Sequence, residues 1–124
     1  MTDKILLLTG SALTAVWGIA HLFPTKGVVK GFGDISRDNK MIITMEWIIE
    51  GVTLIFIGVL TGIITFADYT NEISGIVFLS VVIMLVVLSI ISLFTGLKVN
   101  FLPFKLCPII FSGSAVLIFI GGVL

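Results

Sequence analysis

Four long runs of apolar residues alternate with three shorter polar stretches along the chain. The runs cover about residues 5–23, 41–66, 73–94 and 105–124. Each is close to the roughly 20 residues with which an α-helix crosses a ~30 Å hydrocarbon core. Because lipid offers no partners for backbone N–H and C=O groups, runs of this length must fold as helices. The pattern predicts an all-α fold, a four-helix antiparallel membrane bundle in which residues 1–124 form one domain.

Composition supports a membrane location and excludes several kinds of partner. Of the 124 residues, 58% are hydrophobic and 11% are charged, whereas about 25% of the residues in soluble domains are charged. Seven basic and seven acidic residues give zero net charge, so no basic surface exists to attract nucleic acid. Because the chain has one cysteine, Cys107, and one histidine, His21, it lacks the residues for a Cys-rich zinc site. We expect no metal and no other cofactor, and we expect lipid as the surrounding partner.

Basic residues are distributed unevenly between the two ends of the predicted bundle. Four lie between the first and second spans and two lie between the third and fourth, whereas only Lys4 lies at the opposite end. Short cytoplasmic loops of membrane proteins carry an excess of Lys and Arg. The bias therefore predicts that both termini are extracytoplasmic. The six residues are Lys26, Lys30, Arg37, Lys40, Lys98 and Lys105.

Polar side chains collect at the predicted cytoplasmic end of the spans. His21 lies in the last turn of the first span, and Glu46 and Glu50 lie one turn apart near the start of the second, on one face. Glu50 is the deeper acid. Because a carboxylate inside a membrane costs about 2.5–3.5 kcal/mol to insert, Glu50 should face the bundle and contact a partner, for which His21 is best placed. Trp17 and Trp47 lie nearby, either as interfacial anchors or as pocket walls.

Further polar and small residues have two interpretations each. Hydroxyl and thiol groups at the same end of the third and fourth spans either line the pocket or bond back to their own helix. Gly51, Gly58 and Gly62 form a glycine stripe on the second span. Such a stripe lets helices approach closely, either within the bundle or between two copies in a homodimer. The candidate pocket-lining residues are Ser89, Ser92, Thr95 and Cys107.

The first loop is unusually apolar for a connection between helices. It runs from Thr25 to Lys40 and contains Phe32 and the pair Val28-Val29. Its second half, residues 34–39, is rich in Asp, Ser and Asn, which favour helix starts. We therefore expect the loop to lie at the membrane surface and to cover the pocket.

A motif extends from the first span into the second. A histidine near the end of the first span is followed by a Gly-Asp-x-x-Arg-Asp loop that leads into Met-Glu-x-Ile. In these features the chain resembles the EXPERA domain, the four-helix membrane domain of emopamil-binding sterol isomerases and the sigma-2 receptor. The resemblance implies that Glu46, the acid of the Met-Glu motif, handles a proton or holds a cationic amine. The matching residues are His21, Gly33, Asp34, Arg37, Asp38, Asn39, Met45, Glu46 and Ile48.

Two departures from the family pattern accompany this resemblance. Pro24 and Thr25 stand where a second acid of the first helix is expected. The fourth span, moreover, contains no Trp. The resemblance therefore supports the four-helix architecture and a role for Glu46 more directly than it supports the isomerase reaction.

These observations favour a cytoplasmic-leaflet pocket that binds an amphipathic small molecule, such as a sterol or other isoprenoid, a quinone or an amine, or that handles a proton. Glu46 and Glu50 would supply negative charge, and His21 would be the proton partner. One alternative is a sterol-isomerase-like enzyme, which needs an acid and a base in the pocket. Another is a non-enzymatic accessory subunit with structural carboxylates. A proton-coupled transporter would need a polar path through the other half, which offers Ser11, Thr14, Thr61 and Thr65.

The predicted orientation can be measured with reporter fusions in a bacterial host. We expect alkaline phosphatase fused after Leu124 to be active and green fluorescent protein at the same position to be dark, because the six-to-one basic bias holds the opposite end in the cytoplasm. Fusions within the first loop serve as the control and should behave in the opposite way. A fluorescent fusion after Leu124 would reverse the orientation.

Overall fold

The computed structural model describes all 124 residues and contains helices without any strand. Four of its five α-helices are long and apolar enough to cross a membrane. The predicted all-α fold class is therefore confirmed, and the chain is that of a multi-pass membrane protein. The helices are α1 (Thr2–Leu22), α2 (Thr25–Gly31), α3 (Arg37–Asp68), α4 (Glu72–Thr95) and α5 (Leu102–Gly122), with a short 3-10 turn at Gly96–Lys98.

Helix α3 begins earlier than the apolar pattern indicates, at Arg37 rather than near residue 41. The Ser36 Oγ accepts a hydrogen bond from the backbone N–H of Asn39 at 3.2 Å and so caps the first turn. The helix has 32 residues, which corresponds to about 48 Å at 1.5 Å per residue. It is therefore longer than a ~30 Å hydrocarbon core, and its polar first turns have room to extend beyond the lipid.

The first loop contains the short helix α2, which packs against α3. Val29 is buried, while Lys26 and Lys30 are exposed, so the helix has an apolar face toward the bundle. The chain then turns at Gly33, whose φ of +75° lies in the left-handed region that favours glycine. The loop therefore packs against the bundle, and its position at the membrane surface stays a prediction. We call the end of the bundle that carries this loop and the α4–α5 connection the basic end.

Helix α1 lies between α3 and α5. It packs against α3 on one side and against α5 on the other, and α4 packs against α5. Helices α3 and α4 follow each other in the chain but contact each other at few positions. The four long helices thus form an arc, and the bundle has an opening between α3 and α4.

The glycine stripe of α3 faces α1. A Cβ atom on Gly58 would lie 2.6 Å from the backbone nitrogen of Ala15, closer than real Cβ atoms approach. On the facing helix, a Cβ atom on Gly18 would lie 2.7 Å from the backbone nitrogen of Ile55. The Ser11 hydroxyl donates a hydrogen bond to the Gly58 carbonyl at 2.7 Å. The stripe therefore brings two backbones together within the bundle, one of the two roles expected for it.

Four hydroxyl groups in the half of the bundle away from the basic end are bonded to backbone carbonyls. Besides Ser11, the Thr14, Thr61 and Thr65 hydroxyls each donate to the carbonyl four residues earlier in their own helix. All four side chains are buried. Their hydrogen-bonding capacity as donors is thus used within the protein, which weakens the transporter alternative.

The close approach of α1 and α3 can be tested with two glycine substitutions. We expect Gly58→Ala to lower the stability of the protein by about 1–3 kcal/mol, because the new methyl group overlaps the α1 backbone. Gly113→Ala is the matched control, because a Cβ atom there meets nothing within 4 Å. Reversible unfolding in mixed micelles, followed by circular dichroism, measures both. Equal stabilities of the two variants would contradict the described packing.

Candidate functional site

A large cavity of about 1150 Å³ lies at the basic end, where α2, α3, α4 and the start of α5 meet. Eleven of its 17 lining residues are hydrophobic, and the charged ones are Glu46 and Glu50. Its volume is slightly above the roughly 300–1,000 Å³ of small-molecule pockets. The apolar part of the wall includes Val28, Phe32, Ile49, Leu54, Leu88 and Phe104.

Glu50 and His21 meet across α1 and α3. The distance from His21 Nε2 to Glu50 Oε2 is 3.5 Å. The imidazole side chain is 6% exposed and the Glu50 side chain 43% exposed, because the carboxylate faces the large cavity. The geometry falls short of a hydrogen bond, and His21 Nε2 has no other hydrogen-bond partner. The structure therefore brings together the two groups that the sequence pairs, with the imidazole nitrogen still free to bond.

Trp47 fixes the position of His21. Its indole N–H donates a hydrogen bond to the His21 backbone carbonyl at 2.8 Å. The two rings are stacked, with centroids 3.9 Å apart and planes at 16°. The Phe104 ring contacts the Trp47 indole edge-on, and their centroids are 5.4 Å apart. Trp47 thus links α1, α3 and α5 at the cavity wall.

A second, smaller cavity of about 130 Å³ adjoins the first. Trp47 and Phe104 border both cavities, whereas His21, Trp17 and Cys107 line the small one. The Trp17 indole N–H is buried there without a hydrogen-bond partner. Glu50 lines the large cavity and His21 the small one, so their contact is a polar connection between the two spaces.

Glu46 occupies a different environment from Glu50. It lines the large cavity, is exposed, and forms no ion pair with a basic residue. The acid to which the EXPERA resemblance assigns a role therefore lies one turn nearer the surface than the acid that contacts His21. Both carboxylates remain available to a molecule in the large cavity.

The remaining candidate lining residues are distributed differently from the expectation. Ser89 bonds to the Pro108 carbonyl at 3.0 Å and to the Ser112 hydroxyl at 2.6 Å, which joins α4 to α5. Ser92 and Thr95 bond back to carbonyls of their own helix. None of the three lines either cavity. Cys107 does line the small cavity, and its thiol donates to the Pro103 carbonyl at 3.4 Å.

Several wall residues lie outside the polar pattern on which the sequence interpretation rests. Phe101 directly precedes α5 and Phe104 lies in its first turn, and Thr53 and Leu54 follow Glu50 on α3. Gly27 of α2 also lines the cavity, and a Cβ atom there would meet nothing within 4 Å. The sequence feature that could have identified Phe101 and Phe104 is their position at the start of the last span, at the same end of the bundle as Trp47.

Comparisons with known proteins identify no relative. No protein-family model, no curated protein and no solved structure matches the chain. Functional conclusions therefore rest on the geometry of the site and on the chemistry of its residues.

The two tryptophans provide a matched test of the Trp47 contact. We expect Trp47→Phe to lower stability by about 0.5–1.5 kcal/mol more than Trp17→Phe, because only the Trp47 N–H has a hydrogen-bond partner to lose. Both substitutions remove the same atoms. Unfolding in mixed micelles gives the two values, and a greater loss for Trp17→Phe would mean that its N–H has a partner in solution.

Proposed function

We propose that this protein binds an amphipathic small molecule in the large cavity. The hydrophobic body of the molecule lies against the apolar walls, and its polar head lies at Glu50 and His21. The observation that carries the proposal is a cavity of about 1150 Å³ with mainly hydrophobic walls, in which the charged residues are two acids. Sterols and other isoprenoids, quinones and amines all share this division into body and head.

Charge favours an amine among these classes. The lining contains Glu46 and Glu50 but no Lys, Arg or His. A carboxylate in an apolar environment is stabilised by an opposite charge or a hydrogen-bond donor. A protonated amine supplies both to Glu50, whereas a quinone offers acceptors alone. The EXPERA resemblance points to the same class of ligand, through Glu46.

The cavity belongs to the cytoplasmic leaflet in this proposal. The basic end carries six of the seven basic residues of the chain, which supports a cytoplasmic location for this end and an extracytoplasmic location for both termini. A ligand that reaches Glu50 from the cytoplasmic leaflet therefore passes through lipid or through the loop region of α2.

A sterol-isomerase-like activity is the second candidate. It is favoured by the 3.5 Å contact between Glu50 and His21, in which an acid and a base lie together beside an apolar space. Proton transfer to and from carbon requires such a pair within reach of the substrate. The accessory-subunit alternative is favoured instead by Trp47, whose contacts with His21 lock α1 to α3.

The binding proposal is tested with a radiolabelled N,N-dimethylalkylamine and the uncharged alcohol of the same chain length. With the full chain in nanodiscs, we expect the amine to bind more tightly than the alcohol. Glu50→Gln should weaken amine binding about 10- to 100-fold, because a charged hydrogen bond is lost. Glu46→Gln, the matched control one turn away, should weaken it less, because Glu46 is exposed.

A second arm of the same experiment fills the cavity without altering the packing. Gly27→Leu places a side chain into open space at the cavity wall, whereas Gly113→Leu does so at a site that lines neither cavity. We expect the first variant to lose amine binding and the second to keep it. If the amine binds wild type, Glu50→Gln and Gly27→Leu equally, the proposal is wrong and the accessory-subunit alternative is favoured.

A further inference from the structure

Four exposed lysines directly precede or follow residues that line the large cavity. Each is next in sequence to a residue of the cavity lining, so its Cα atom lies about 3.8 Å from that of a lining residue. Two are on α2, one is in the 3-10 turn after α4, and one is in the first turn of α5. They therefore belong to two separate parts of the chain that border the cavity. We call these residues the lysine ring: Lys26, Lys30, Lys98 and Lys105, beside Gly27, Gly31, Val99 and Phe104.

The lysine ring has no partner within the protein. All four side chains are exposed, and the acid–base contact that the protein forms within 4.0 Å is that between His21 and Glu50. Glu46, which lies nearer the rim than Glu50, is not paired with any of them. The ring therefore provides four exposed lysines without an acidic partner, each next in sequence to a residue of the cavity lining.

The same cavity lies between α3 and α4, two of the helices that are long and apolar enough to cross a membrane. Ile42 and Ile49 on the α3 side are exposed, and Leu88 of α4 lines the opposite wall. Because α3 and α4 contact each other at few positions, the wall between these two apolar helices is interrupted. An occupant of this region thus meets apolar walls below and positive charge above.

We propose that an anionic phospholipid binds here, with its phosphate at the lysine ring and one acyl chain in the opening between α3 and α4. Lysines clustered at the membrane surface attract anionic lipid, and long lysine side chains reach the headgroup level while their stems stay on apolar surface. The inference goes beyond the proposed function, because it concerns the rim and the opening rather than Glu50.

The lipid itself is the probe in the experiment that tests this inference. The full chain is purified in detergent and equilibrated with equal amounts of phosphatidylglycerol and phosphatidylcholine, and the retained lipid is measured by native mass spectrometry. We expect phosphatidylglycerol to be retained preferentially. The double variants Lys26→Gln/Lys30→Gln and Lys98→Gln/Lys105→Gln should each lower its affinity by about tenfold or more.

Lys4→Gln is the matched control. Lys4 lies at the opposite end, where its ammonium group is 5.2 Å from the centroid of the Phe66 ring, so the variant should retain phosphatidylglycerol as the wild type does. Equal retention of the two lipids, an unchanged affinity in either double variant, or an equal loss in Lys4→Gln would overturn the inference. Displacement by glycerol phosphate as effective as by intact lipid would also overturn it, because the chain would then play no part.

Glu50→Gln separates this inference from the proposed function. The variant should lose amine binding but retain phosphatidylglycerol, because Glu50 lies inside the cavity and not at the lysine ring. Loss of lipid retention in this variant would contradict the placement of the phosphate at the lysine ring. Failure of amine binding with intact lipid selectivity would contradict the proposed function alone.

Discussion

The close packing of α1 against α3 is the constraint on which the candidate site depends. Glycines on both helices remove the Cβ atoms that would hold the backbones apart. Gly51 directly follows Glu50, and its missing side chain leaves space for Leu22, which directly follows His21. The same contact that sets the helix register therefore places the imidazole 3.5 Å from the carboxylate. The contact between His21 and Glu50 and the glycine packing thus both belong to the interface between α1 and α3.

Much of the fold was predictable because a bilayer permits few solutions. Apolar runs of about 20 residues must be helical in lipid, so the fold class and the number of spans followed from hydrophobicity alone. The ends of the helices were less predictable, since polar first turns such as Arg37–Lys40 continue α3 beyond the apolar run. The order of packing was not predictable from the pattern, because in lipid an apolar side chain facing a neighbouring helix resembles one facing acyl chains.

The candidate site was predictable where burial of charge limits the alternatives. Glu50 needs a partner in an apolar environment, and His21 is the one histidine of the chain, so their contact followed from the antiparallel arrangement. Hydroxyl groups carry no comparable constraint. The Ser92 and Thr95 hydroxyls donate hydrogen bonds to carbonyls of their own helix, and the Ser89 hydroxyl donates one to a carbonyl of α5. Phe101 and Phe104 have no polar group that needs a hydrogen-bond partner, so their place in the cavity wall could not be predicted from the sequence.

The interrupted wall between α3 and α4 also sets the route by which the proposed ligand would enter the large cavity. A molecule that arrives through this opening comes from the bilayer, so its rate of binding would follow its mole fraction in lipid rather than its molarity in water. Adding vesicles at constant ligand and protein would then dilute the ligand in lipid and slow its binding, even though nothing competes for the site. Partitioning into the membrane thereby becomes a step of recognition, one that selects for hydrophobicity before any side chain is contacted.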